Sequence, residues 1–230
     1  MKYEVLGKTV PAVEITLNEG ESIYTQNGGM AWQTQGINMS TNAKGGIMKS
    51  LGRMFAGESI FMSTYTAETD GAKVAFATTV PGNILAINMA AMPTGIILQK
   101  GAFLCAEQDV NISVALAKRF SAGVFGGEGF ILQKATGNGM LFLEADGDPV
   151  IKELQAGEVL KVDTGNVVGF ETTVSYEIEI VKGFGNIILG GEGIFLTKLK
   201  GPGRVINHKT LWILQEELLQ SYLIINKKSN

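Results

Sequence analysis

The stretch GGEGFILQKATGNGMLFLEA, Gly126 to Ala145, decides the fold. Two apolar runs flank the glycine-bearing turn Thr136–Gly139, and Met140–Leu143 reads as the returning strand. That is the pattern of a β-hairpin. The segment has two relatives in the chain. One is AGESIFMSTYTAETDGAKVAFAT from Ala56, and the other is GGEGIFLTKLKGPGRVIN from Gly190. Their shared core is G-E-[SG]-[IF]-[FI], with glutamates at Glu58, Glu128 and Glu192. A second motif, L-x-x-G followed by a short strand, precedes each copy at Leu17, Leu98 and Leu154. The ordered pair of motifs predicts three supersecondary units of about 50–80 residues each, set side by side to bury their apolar faces.

Working outward, other segments alternate with period two. Val13, Ile15 and Leu17 do so, as do Val110, Ile112, Val114 and Leu116, and Tyr176, Ile178 and Ile180. This is the signature of strands buried on one face. Thirty glycines punctuate the 230 residues at turn positions. Two segments carry helical spacing instead. In Ala43–Phe55, the residues Ile47, Met48, Leu51, Met54 and Phe55 predict a short amphipathic helix. From Thr210 on, Leu211, Leu214, Leu218 and Tyr222 predict a terminal helix, although its β-branched end also suits a strand.

Composition excludes several classes. The chain is 45% hydrophobic and 18% charged, so it is not intrinsically disordered. Its 19 Lys+Arg face 22 Asp+Glu, which leaves no basic excess for bulk nucleic-acid binding. One cysteine, Cys105, and one histidine, His208, make neither a disulfide framework nor a Cys/His zinc site. The opening residues lack a secretory pattern and no apolar run reaches membrane-spanning length, so a cytoplasmic location is expected.

Candidate sites are few. Glu58, Glu128 and Glu192 could bind a cation or a basic partner. Each sits beside a glycine turn, where a carboxylate more simply accepts backbone N–H bonds. The glycine pieces at Gly126–Gly129 and Gly190–Gly193 precede strands and lack G-K-[ST], so they read as turns and not as phosphate loops. Cys105 lies in the apolar run Ala102–Ala106, as an inert thiol would. No third group orients a Cys105–His208 pair for catalysis. Lys44, Lys49 and Arg53 lie opposite the Ile47–Phe55 face, which would suit a membrane surface or a cover on the end of a sandwich. Trp32 and Trp212 are expected to pack.

The three G-E-[SG]-[IF] segments, the link Pro81–Leu85 (PGNIL) and the closing run Gly191–Gly203 carry a resemblance. Over residues 1–206 the chain resembles the Altered Inheritance of Mitochondria family, member twenty-four. The resemblance implies three double-stranded β-helix-like sandwich units, similar to the subunit of the tryptophan RNA-binding attenuation protein. It implies no enzyme activity and no established ligand. Mitochondrial relatives are linked to inner-membrane organisation. After Gly203 the chain departs from the family's aromatic-containing strand, running Arg204-Val-Ile-Asn-His-Lys-Thr.

The expectation is therefore an all-β protein of three β-sandwich units in pseudo-threefold arrangement, with a short inserted helix. The units span about 1–90, 91–148 and 149–206, followed by the segment 207–230. The function expected is that of a non-enzymatic scaffold or interaction protein, homo-oligomeric and without cofactor. The alternatives are a small-ligand or nucleic-acid binder and a peripheral membrane organiser.

Overall fold

The computed structural model describes residues 1–26, 29–43, 61–118, 130–181 and 194–208. Glu58, Glu128 and Glu192 lie outside those residues, as do the Ile47–Phe55 segment, the terminal segment with Trp212, and the glycine runs at 126–129 and 190–193.

The described residues form strands and short 3-10 turns, with no α-helix among them. The strands are β1 (Lys2–Leu6), β2 (Ala12–Leu17), β3 (Ser22–Gln26), β4 (Met30–Gln33), β5 (Ile37–Ala43), β6 (Phe61–Ala67) and β7 (Ala72–Ala77). There follow β8 (Gly82–Asn88), β9 (Ile96–Gln99), β10 (Phe103–Glu107), β11 (Val110–Lys118), β12 (Phe130–Gly137) and β13 (Met140–Asp146). The last are β14 (Val150–Leu154), β15 (Val159–Asp163), β16 (Val167–Glu171), β17 (Ser175–Val181), β18 (Ile194–Lys200) and β19 (Gly203–Asn207). All pairings are antiparallel. The four sheets run β1-β2-β7-β4, β5-β6-β3-β10-β13-β8, β11-β12-β9-β16-β19-β14 and β15-β18-β17.

One pairing order occurs three times, in β2 to β7, β8 to β13 and β14 to β19. Within each group the first and third strands pair with the sixth, and the second and fourth pair with the fifth. β8, which falls inside the stretch 1–90, pairs with β13 and so stands with the second group. Two more pairings join the groups, β3 with β10 and β9 with β16. A closed threefold ring would carry a third junction of this kind, between β15 and β4. Among the described residues that pairing is absent, and each of the two strands ends its sheet. The row of three groups is open.

The stretch read as a hairpin from Phe130 to Leu143 is instead an arch between two sheets. β12 lies between β11 and β9, β13 lies between β10 and β8, and the two do not pair with each other. Two strands joined by a tight turn give the same sequence pattern whether or not they share a sheet. The turn between them uses Gly137 and Gly139, both in the left-handed region at φ +104° and +105°. The period-two pattern holds. Val13, Ile15 and Leu17 are buried, while Glu14 and Thr16 on the other face are half-buried. In β11 the alternation predicts an inward Val114; it keeps phase with Val110 and Ile112 but is exposed on this edge strand, and a bulge follows it before Leu116.

The L-x-x-G motif needs one correction. Leu17 and Leu154 each end the first strand of their group, buried, before Gly20 and Gly157 at φ +82° and +81°. Glu21 then accepts the Asn18 N–H and Glu158 the Gln155 N–H, each at 2.8 Å. Leu98 does not share this place, because it lies within the second strand of its group. There the equivalent residue is the buried Met89, in the 3-10 turn Met89–Ala91, after which a further turn through Pro93 reaches Gly95. A longer connection and a Met in place of Leu hid it.

Three apolar clusters form the core. The central one draws on all three groups, with Tyr24 and Met62 from the first, Met89, Leu98 and Leu141 from the second, and Val168 and Ile206 from the third. Burying a side chain of this size contributes roughly 1.5–3 kcal/mol. The cluster therefore helps to bind the three groups together.

Candidate functional site

The groups able to do chemistry are engaged in the fold. At the end of the third strand of each group, a side-chain oxygen takes the N–H of the first or second residue of the sixth strand. Thr34 Oγ1 accepts from Lys73 at 2.8 Å, Glu107 Oε2 from Met140 at 2.5 Å and Glu171 Oε2 from Arg204 at 3.2 Å. Glu171 Oε1 also takes the Arg204 Nε–H at 2.7 Å. This recurring acceptor was not among the sites read from the sequence. Its signal was present as Thr34-x-x-Ile37, Glu107-x-x-Val110 and Glu171-x-x-Val174, an acceptor three residues before a buried β-branched residue.

A second cluster sits where β13 meets the end of β19. His208 Nδ1 accepts the Asp146 N–H at 2.7 Å, and Nε2–H donates to Gly165 O at 3.3 Å. Only the neutral ring can do both. Burial holds the His208 pKa below its ordinary value, against the pull of Asp146. The Asp146 carboxylate lies 4.0 Å from Nδ1, and burial pushes its pKa up. Two residues earlier, Glu144 is raised by burial, although it accepts from the N–H and hydroxyl of Thr79. The cluster spans the second and third groups and fastens their ends.

Cys105 is fully buried in the core of the first and second groups with Phe142 and Leu104, and burial pushes its thiol pKa well up. Its surroundings differ from those of His208, so the structure does not bring the two together. Trp32 is not a packing residue as expected. It is 42% exposed on the edge strand β4, with Nε1–H donating to Glu14 Oε2 at 3.1 Å. Lys73 Nζ lies 2.6 Å from Glu14, and these two bonds lower the Glu14 pKa. Lys161 Nζ on β15 reaches Glu179 at 2.6 Å. Among the described residues, no group of three or more His, Cys, Asp or Glu side chains could hold a metal ion. No helix of theirs is long and apolar enough to cross a membrane.

The surface that remains is made of strand edges. Tyr3 and Val5 on β1, Trp32 on β4, Met39 on β5, Val114 on β11, Val150 and Ile151 on β14, and Val159 on β15 are all exposed. Each of these strands is the last of its sheet. Sequence alternation gives the faces of strands but not their neighbours, so it missed this.

The fold defines a class: an all-β protein of open antiparallel sheets in which one six-strand pairing order recurs. The sequence family model described as mitochondrial biogenesis AIM24 matches residues 3–208, and the chain belongs to that family. An uncharacterised protein of Streptococcus pyogenes serotype M6 is 31% identical over 204 residues, which cover 85% of this chain and 79% of that one. A crystal structure of a Streptococcus pyogenes protein superposes with a TM-score of 0.75 at 26% identity, covering 96% of this chain and 99% of the other.

Proposed function

We propose that the protein is a non-enzymatic scaffold or interaction module that works as a homo-oligomer of chains, each built from three pseudo-repeated units. One observation carries this reading. Thr34, Glu107, Glu171, Cys105 and His208 are buried or bonded to backbone, whereas all but one of the exposed large apolar side chains lie on edge strands. Edge strands present unpaired N–H and C=O groups, and apolar side chains beside them favour pairing with another chain. A cytoplasmic location belongs to the same proposal. The free, buried thiol of Cys105 supports it.

The test is native mass spectrometry of the protein from its own host across a concentration series. The expected result is a defined oligomer without a retained small molecule. A single subunit at every concentration would overturn the homo-oligomer. A stoichiometric retained mass would favour the ligand-binding alternative.

A further inference from the structure

The two junctions inside the chain define what a third would look like. Thr34, Glu107 and Glu171 mark one place in the pattern through their bonds to the sixth strand. The residues before them therefore correspond: Gln33, Ala106 and Phe170, then Trp32, Cys105 and Gly169. The bulges agree, falling at Met30/Trp32, Phe103/Cys105 and Val167/Gly169. On the second strands, Gln26, Gln99 and Asp163 each stand four residues before the next strand begins, so Tyr24, Ile97 and Lys161 correspond. At β3/β10, Tyr24 faces Ala106 and Ile23 faces Glu107. At β9/β16, Ile97 faces Phe170 and Ile96 faces Glu171. The two junctions share one register.

Among the described residues the series leaves one strand of each kind unmatched. β4 is a third strand without a second strand beside it, and β15 is a second strand without a third. Joined, their half-sheets would read β17-β18-β15-β4-β7-β2, the order of the complete sheet β5-β6-β3-β10-β13-β8. Burial follows the same division. Inside the junctions Tyr24, Ala106, Ile97 and Phe170 are buried, whereas at the open ends Gln33 and Lys161 are exposed.

We infer that a second copy of this chain fills the gap, with β15 of one copy pairing antiparallel to β4 of the next, Lys161 facing Gln33 and Leu160 facing Thr34. This rests on the homo-oligomeric reading and names the surfaces that meet. β4 lacks the devices that blunt an edge. It carries no charge and no proline. Its bulge is the one that β10 and β16 carry while paired on both sides. Cys105 shows that the place of Trp32 accepts a side chain inside a junction. The contact joins unlike surfaces, so it builds a ring where the rotation closes and a filament where it does not.

The test uses the full chain. A sample carrying Gln33→Cys is mixed with one carrying Lys161→Cys, oxidised, and mapped by peptide mass spectrometry. The expected result is a disulfide between positions 33 and 161 of different chains. A chain with both substitutions should give a ladder of linked chains on a non-reducing gel. A link formed only within the doubly substituted chain would overturn the inference, because the third junction would then be internal. An oligomer in native mass spectrometry without a 33–161 link would also overturn it, while leaving the homo-oligomer standing. A single subunit throughout would end both. Gln33→Lys sets like charges across the junction and should weaken association at least about ten-fold, with Lys161→Glu in the same chain restoring it. Gln33 is exposed, so the melting temperature of the separated Gln33→Lys chain should stay unchanged. Unaltered association in Gln33→Lys would count against this register.

Discussion

His208 holds two backbone groups with a neutral ring, and that choice has a consequence for pH. Its native pKa lies below the unfolded value of about 6.5 because burial disfavours the charged ring. The unfolded chain therefore binds a proton more readily. The His208 contribution to stability is full above about pH 6.5 and falls as pH drops through the lowered native value. Glu144 and Asp146 move the other way. Burial raises both, so they favour the native state below their unfolded values of about 4 and lose that contribution as pH rises through the raised ones. A fall in melting temperature between about pH 7 and 5 is thus assigned to His208. His208→Gln should flatten the profile there; a slope identical to that of the parent would remove His208 as its cause. Glu107 is the second single-residue case. Glu107→Ala orphans the Met140 N–H and should cost about 1–2 kcal/mol in urea unfolding. Glu107→Gln keeps an accepting oxygen and should cost less. Equal stability of all three chains would show that water replaces the carboxylate. The sequence marked His208 only as the single histidine, and it did not show which backbone groups His208 or Glu107 would meet, because that depends on strands distant in the chain.

At the scale of elements, the strand faces were legible. Alternation placed Val13, Ile15 and Leu17 inward because a strand with one wet face must alternate. The turn between β12 and β13 was legible from its glycines, because φ angles near +104° admit little else, but the hairpin read there was wrong, since the two strands pair into different sheets. Bulges were not, since an extra residue leaves no mark in hydrophobic pattern; the one after Val114 offsets Leu116 against β12. Gly169 is the informative case. A Cβ there would lie 2.6 Å from Ile97 O, the backbone of the strand joined from the neighbouring group. Gly169→Ala should therefore loosen the β9/β16 junction and destabilise by about 1–3 kcal/mol. Gly101→Ala, which meets nothing within 4 Å, is the control and should change little. If calorimetry found the two alike, the close approach of β9 and β16 would not be a constraint on the fold.

For the whole molecule, the all-β character was legible from the alternating runs and the glycine turns. How the groups meet was not. The residues that join β3 to β10 and β9 to β16 are ordinary strand residues such as Ile23, Tyr24, Ala106 and Phe170, and nothing local says which strand will lie beside them. The expected threefold closure needs a β15/β4 junction, and the open edges of both strands turn that missing junction into an assembly surface. Hydrogen–deuterium exchange of the intact chain across a concentration series tests this most directly. The account predicts that amides of β4 (Met30–Gln33) and β15 (Val159–Asp163) gain protection together as the oligomer forms, while those of β3 and β10 are protected throughout. Fast exchange in β4 and β15 at every concentration, alongside a formed oligomer, would contradict it.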